Sequence, residues 1–268
     1  MIIKEDSKYR LIEANSDNLI ENLSAGTYTV ELKQGFFSSS LYLDPVGDKY
    51  KKGMMINEGI FKKIHEDVNA FLSEEMTLAR ESLCMMNKSG IMFEGAPGTG
   101  KTFLAGQIGE QLVQERNAVC LITTNPNLDF AAIIDIIRQK SPDRFVVLII
   151  DEFEKNYKSS NTSLLSFLDG TESRDNVLVI ATVNNMRNLP NYITERPGRF
   201  EKIYRFKMTD ETILKPLLIS IIPTKYREAL DTEIGRLVEK LKKEKEITID
   251  SIRMYVRDLI YTHLKLVV

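Results

Sequence analysis

Gly95-Ala96-Pro97-Gly98-Thr99-Gly100-Lys101-Thr102 is the stretch whose reading decides the fold. It has the form G-x-x-x-x-G-K-[ST], the spacing of a phosphate-binding loop. Its flanks agree. Gly90-Ile91-Met92-Phe93-Glu94 before it is apolar enough for a buried strand, and Phe103 to Val113 after it carries apolar residues at helical spacing. A strand, a glycine-rich turn and a helix N-terminus make an anion site, because backbone N–H groups converge there and the helix dipole favours negative charge. Gly95, Gly98 and Gly100 let the backbone approach phosphate with no Cβ in the way. In such a loop Lys101 reaches the β- and γ-phosphates and the Thr102 hydroxyl ligates Mg²⁺. Ala96, Pro97, Thr99 and Phe103 complete the candidate cofactor-binding stretch.

Further along, Phe145-Val146-Val147-Leu148-Ile149-Ile150 runs without a polar residue and ends in Asp151-Glu152. A continuous apolar run predicts a strand buried on both faces, as in a parallel sheet. Its two acids then fall at the carboxyl edge, where open α/β sheets bind ligands. Asp151 is placed to hold the Mg²⁺ shell, and Glu152 to orient or deprotonate an attacking water. Asn176-Val177-Leu178-Val179-Ile180-Ala181-Thr182 predicts another buried strand leading into Val183-Asn184-Asn185. An asparagine there either meets the water and γ-phosphate or serves a turn, its commoner use. In Glu195-Arg196-Pro197-Gly198-Arg199-Phe200 two arginines flank a Pro-Gly turn; residue chemistry alone reads them as solvated cations.

The rest of the chain supplies context. Residues 1–50 predict a β-rich extension: residues 27–32 and 40–43 are rich in β-formers and form a hairpin packed on the main domain, with a turn around Gly35 to Phe37. Two helices follow, one striped by Ile60, Phe61, Ile64, Val68, Phe71 and Leu72, the other from Met76 to Met86. After the phosphate loop a helix runs to Arg116-Asn117, then a strand from Ala118 to Ile122 and a helix capped by Asp129. Residues 163–170 predict a helix stopped by Gly170. From Thr209 the pattern is helical: a helix capped at Thr209-Asp210 and ended by Pro223, a charged helix from Tyr226 to Lys245, and a last helix from Ile252 to Leu264 capped by Asp250. The expected division is an extension over 1–50, an α/β domain over 51–205 and a helical lid over 206–268.

Composition narrows the function classes. With 36 basic and 38 acidic residues the net charge is −2, so no global positive field marks a nucleic-acid binder. Cys84 and Cys120 stand in apolar sequence and are expected as small buried hydrophobes rather than a disulfide. His65 and His263 are isolated, without zinc spacing. The first six residues lack the basic-then-apolar order of a signal peptide. The run 146–150 is far too short to cross a bilayer. A soluble cytoplasmic protein with no membrane partner is the expectation.

Five elements in one order, residues 95–102, 148–152, 164–170, 179–184 and 196–200, resemble the AAA+ ATPase family, and within it the AAA subgroup whose second region ends in R-x-G-R-F. The resemblance covers residues 86–265. It implies an α/β P-loop NTPase sheet sandwiched by helices and followed by an all-α lid. It also implies ATP and Mg²⁺ as ligands, with Lys101 and Thr102 as the Walker A pair and Asp151 and Glu152 as the Walker B pair. Asn184 matches sensor 1, with Asn185 the alternative, because the chain reads Ala-Thr-Val-Asn-Asn where the family commonly has Ala-Thr-Asn. Arg196 and Arg199 match arginine fingers, which act on ATP bound by a neighbouring subunit. A homo-oligomer follows, a hexameric ring or a helical assembly. Arg253 lies where some members carry a sensor 2 arginine, though a solvated helix residue is the plainer reading.

The segment between residues 123 and 144 is short. Threading members carry an aromatic-apolar-Gly pore loop there; this chain has Asn125-Pro126-Asn127-Leu128-Asp129-Phe130, without glycine. That spacing is similar to the branch that includes the mitochondrial inner-membrane chaperone for an iron–sulfur subunit. The function expected from the resemblance is an ATP hydrolase that remodels an unidentified protein partner. The competing expectations are a nucleotide-gated scaffold and a loader acting on a nucleic-acid machine.

Overall fold

Strands without polar interruption can only be buried on both faces, and the molecule is layered accordingly. The structure, a computed structural model, describes residues 2–5, 8–11, 23–34, 39–50, 59–158, 163–169, 172–196, 198–207, 211–244 and 247–264. The chain begins with β1 (Ile2–Glu5), β2 (Lys8–Leu11), β3 (Gly26–Gln34) and β4 (Ser39–Pro45), then α1 (Gly59–Phe71) and α2 (Glu74–Ser82). The centre is built from β5 (Lys88–Gly95), α3 (Lys101–Arg116), β6 (Val119–Thr123), α4 (Phe130–Arg138), β7 (Val146–Ile150), α5 (Phe153–Asn156), α6 (Ser163–Asp169), β8 (Val177–Val183), α7 (Asn191–Thr194) and β9 (Lys202–Phe206). It ends in α8 (Glu211–Ile221), α9 (Thr224–Arg227), α10 (Asp231–Leu241) and α11 (Ile249–His263).

All nine strands form one sheet in the order β1-β2-β4-β3-β6-β7-β8-β5-β9. Strands β3, β6, β7, β8, β5 and β9 are parallel, with Leu121 opposite Leu148, Leu148 opposite Val179 and Ile91 opposite Ile180. The chain leaves β5 toward β6 on one side and later crosses from β8 to β9 on the other. The phosphate loop therefore opens at a switch of strand order, where α/β sheets bind ligands.

Alternation splits the apolar runs between two cores. Ile91, Phe93, Cys120, Ile122, Val147, Ile149, Leu178 and Ile180 face α1, α3 and the lid helices α8, α10 and α11. Met92, Val119, Leu121, Val146, Leu148, Ile150, Val177 and Val179 face α4 and α6. This is the α/β sandwich with a helical lid that the motifs imply. A strand such as β7, fully buried over five residues, gains about 1.5–3 kcal/mol per side chain from leaving water.

Several local expectations change. The hairpin β3–β4 does not merely pack on the main domain. β3 pairs in parallel with β6, Tyr28 opposite Leu121, so the extension continues the central sheet. A buried hydrogen bond from Thr27 Oγ1 to Glu110 Oε2 of α3, 2.9 Å, fixes that junction. Cys120 is buried, but Cys84 is exposed at a left-handed φ of 54°, because α2 stops at Ser82 and the chain turns there. The helix expected over 226–245 is broken at Leu230 into α9 and α10. The last helix starts at Ile249, and its cap is Thr248, not Asp250. The Thr248 hydroxyl accepts from Ser251 N at 3.1 Å, and Ser251 Oγ accepts from Thr248 N at 2.9 Å. Strands β1, β2 and β9 were not anticipated. β9, with Lys202 and Arg205 exposed, has the polar face of an edge strand and no long apolar run. The expected hairpin turn at 35–37, the stop at Gly170 and the cap at Thr209-Asp210 lie outside the described residues.

Candidate active site

The loop between β5 and α3 owes its shape to two glycines. Gly98 and Gly100 have φ of 75° and 85°, the left-handed region that favours glycine. A Cβ on Gly100 would come within 2.6 Å of Ile249 in the lid. Lys101 opens α3 and is only 6% exposed. Its ammonium donates to Gly95 O at 2.6 Å, Ala96 O at 3.0 Å and Asn184 Oδ1 at 3.1 Å. Burial lowers the Lys101 pKa, opposed first by the charge of Glu154 and then by Asp151 and Glu152.

The acids of β7 sit beside it. Thr102 Oγ1 and Thr182 Oγ1 both donate to Asp151 Oδ1, at 2.6 and 2.5 Å. No described hydrogen bond engages Asp151 Oδ2. Glu152 N donates to Thr182 Oγ1 at 3.1 Å, so a hydroxyl of β8 links both acids to the neighbouring strand. Glu152 itself is left-handed, φ 49° and ψ 44°, an arrangement that costs a non-glycine residue about 1–3 kcal/mol and clusters at functional sites. Its carboxylate is 44% exposed and pairs with Lys155 at 2.5 Å. At the end of β8, Asn184 faces Lys101, while Asn185 caps a turn by accepting from Arg187 N at 3.0 Å. The choice between them that the sequence left open is thus a difference of direction: one amide points at the loop, the other closes a turn.

The arginines are unlike each other. Arg199 is 3% exposed and forms a two-pronged pair with Asp169, Nε to Oδ1 at 2.6 Å and Nη2 to Oδ2 at 2.5 Å; Nη1 donates to Tyr192 O. That pair holds the Asp169 carboxyl below, and the Arg199 guanidinium above, its ordinary pKa. Arg196 is 60% exposed and meets Asp169 Oδ2 at 3.0 Å from outside. Of the two arginines that match fingers by resemblance, Arg199 is enclosed in its own chain and Arg196 reaches solvent. Arg253 is exposed and pairs with Asp250 at 3.2 Å.

The lid touches the loop directly. Ile249 N donates to Gly98 O at 2.9 Å, so the first turn of α11 rests on the phosphate loop. Thr182, Glu154, Asp169 and the Thr248-Ile249 pair were all missed in the sequence. Only Glu154 had a signal there, as a third acid two residues beyond Glu152; the others act through strand pairing or docking that no spacing encodes.

The residues present fit a nucleotide triphosphate with Mg²⁺. The loop carbonyls and Asn184 already hold an ammonium at the mouth of a helix N-terminus, and Thr102 with Asp151 offers a hydroxyl and a carboxylate 2.6 Å apart. Among the described residues no group of three or more His, Cys, Asp or Glu forms a metal cage. Mg²⁺ is ordinarily held that way, by one or two carboxylates and the phosphates themselves.

A parallel sheet with this loop at its order switch, an acid pair after the next strand but one, β7, and a hydroxyl of α3 against the first acid define a P-loop nucleotide-binding site. Residues 91–208 match the model of the family described as "ATPase family associated with various cellular activities (AAA)". That region of the chain is thus similar to the ATPase domain of this family. It is 27% identical over 240 residues to a proteasome-activating nucleotidase of Aeropyrum pernix, covering 74% of this chain and 57% of that protein. It is 27% identical over 209 residues to the nucleotidase of the same name from Methanoregula boonei, covering 68% and 46%. With the human ATPase family AAA domain-containing protein 2 it shares 25% over 172 residues, 56% of this chain and 12% of that one. The chain thus spans about half the length, or less, of these relatives. Among the described residues no helix is long and apolar enough to cross a membrane.

Proposed function

We propose that the chain works as a homo-oligomer in which each ATP site is completed by Arg196 of a neighbouring copy, and that turnover remodels a protein partner. The observation that carries this reading is the exposure of Arg196. Lys101, Thr102, Asp151, Glu152 and Asn184 gather within one chain, yet their described hydrogen bonds include no arginine. An arginine supplied from outside is worth about 10³–10⁵ in turnover where it meets transition-state charge.

The steps follow from the residues. Backbone N–H groups of residues 98–102 and the α3 N-terminus bind the phosphates. Lys101 leaves the loop carbonyls for the β- and γ-phosphates. Thr102 and Asp151 would hold Mg²⁺, which would supply positive charge to the phosphate oxygens. Glu152 turns from Lys155 and accepts a proton from the attacking water, and Asn184 orients that water. Lid motion is transmitted through α11, whose first turn contacts Gly98 and Gly100. The relatives' name, proteasome-activating nucleotidase, supports a protein as the partner. In this chain Leu128 and Phe130 are buried and the loop 125–129 is tied down by Asn125, Asn127 and Asn156, so no aromatic of this loop is offered to a threaded polypeptide. The partner is remodelled by lid motion rather than by a grip at this loop.

The test is complementation. Lys101→Ala or Glu152→Gln removes turnover by about 10²-fold or more, and Arg196→Ala does so in the assembled protein. Mixing Glu152→Gln with Arg196→Ala chains restores part of the turnover, because one of the two kinds of mixed interface pairs the intact Glu152 of an Arg196→Ala chain with the intact Arg196 of a Glu152→Gln chain. A mixture no more active than its components overturns the shared site.

A further inference from the structure

We propose that Glu154 is the positioning residue of Asn184: its carboxylate ties the end of β8 to the acidic segment after β7 and so sets where the Asn184 amide meets Lys101. This rests on the reading of Asn184 as the residue that orients water.

The ladder between β5 and β8 ends with Glu94 opposite Val183. Asn184 is the first residue past it, and the next residue turns away as a cap. Its backbone N–H instead donates to Glu154 Oε1 at 2.8 Å, across 30 residues of chain. A carboxylate accepting an N–H is a charge-assisted bond, roughly twice as strong as a neutral one. It fixes the backbone from which the Asn184 side chain reaches Lys101 Nζ at 3.1 Å.

The second oxygen points the same way. Glu154 Oε2 is buried without a hydrogen-bond partner. A buried unmatched carboxylate oxygen is costly and calls for an explanation. Here it is the negative charge that most strongly favours the Lys101 ammonium, ahead of Asp151 and Glu152. Glu152, the acid expected to do chemistry, is meanwhile turned to Lys155 at the surface. The two glutamates, two residues apart, divide the work. One is held by a surface ion pair from which it can swing toward a water; the other, on the first turn of α5, keeps one oxygen buried and the other as a fixed acceptor.

The experiment is a double-mutant cycle on the full chain, reading kcat and KM for ATP. Asn184→Ala is expected to lower kcat by about tenfold or more. Glu154→Ala lowers kcat by about tenfold with KM within about threefold, the loss of one hydrogen bond's worth of positioning. The double variant is no slower than Asn184→Ala alone, because Glu154 acts through Asn184. Glu154→Gln keeps a carbonyl acceptor at the same reach and stays within about threefold in kcat. Glu154→Asp, one methylene shorter, falls with Glu154→Ala and serves as the comparison where the alanine variant does not fold. Full additivity in the double variant, or a Glu154→Asp chain faster than Glu154→Gln, overturns the proposal while leaving Asn184 in its role. An unchanged rate in Asn184→Ala overturns the reading of Asn184 itself, and the proposal with it.

Discussion

Arg196 and Arg199 stand three positions apart in sequence and share Asp169, yet their environments give them opposite consequences. Arg199 neutralises a mostly buried carboxylate. Arg199→Ala leaves that charge with Arg196 alone and is expected to cost about 3 kcal/mol of stability, read as a shift in the urea midpoint. Arg196→Ala removes an exposed cation and is expected to stay within about 0.5 kcal/mol of the unmodified chain while abolishing shared-site turnover. A turnover loss in Arg199→Ala without destabilisation would contradict this division. Spacing could name both arginines and could not rank them, because burial depends on where Asp169 of α6 comes to lie.

Strand β5 carries a similar hidden choice at its first residue. Lys88 donates to Phe167 O at 3.0 Å, to Leu168 O and to Ser173 Oγ at 2.6 Å, closing the end of α6. Burial lowers its pKa to about 8 from 10.5. The sign follows from proton counting. Between about pH 8 and pH 10.5 the folded chain has released a proton from Lys88 that the unfolded chain still binds, so Lys88 makes stability rise with pH across that window. Denaturant titrations over that range are expected to show this rise in the unmodified chain and to lose it in Lys88→Met. In the sequence this lysine is only the polar residue ahead of an apolar run. The elements themselves were easier to read: β7 and β8 declared themselves by uninterrupted apolar residues, and α1 by its stripe. β9 and the break at Leu230 gave no such sign.

At the scale of the whole molecule the lid and the loop form one mechanical unit through α11. Ile249 is the first helical residue after the Thr248 cap, a position that tolerates proline because its N–H has no partner within the helix. Ile249→Pro therefore keeps α11 while removing the donor to Gly98 O and the side chain over Gly100. Circular dichroism is expected to be unchanged and the KM for ATP to rise about fivefold, the worth of one hydrogen bond near 1 kcal/mol. An unchanged KM would show that the lid does not report on the loop through this contact. The extension belongs to this scale too: pairing of β3 with β6 joins β3 and β4 to the central sheet, and Thr27 reaches Glu110 on the helix that carries Lys101.

By itself the sequence determined the P-loop fold class, the loop over residues 95–102, the acid pair 151–152 and the lid, because phosphate chemistry and two-sided burial each impose a local pattern of residue types. The tertiary structure alone decided which asparagine faces Lys101, which arginine is exposed, that Glu154 Oε2 is buried while the Glu152 carboxylate is 44% exposed, and that the N-terminal hairpin extends the sheet. These are relations between residues 30 to 83 positions apart, and their energies come from burial and hydrogen-bond geometry that exist only once the strands are paired.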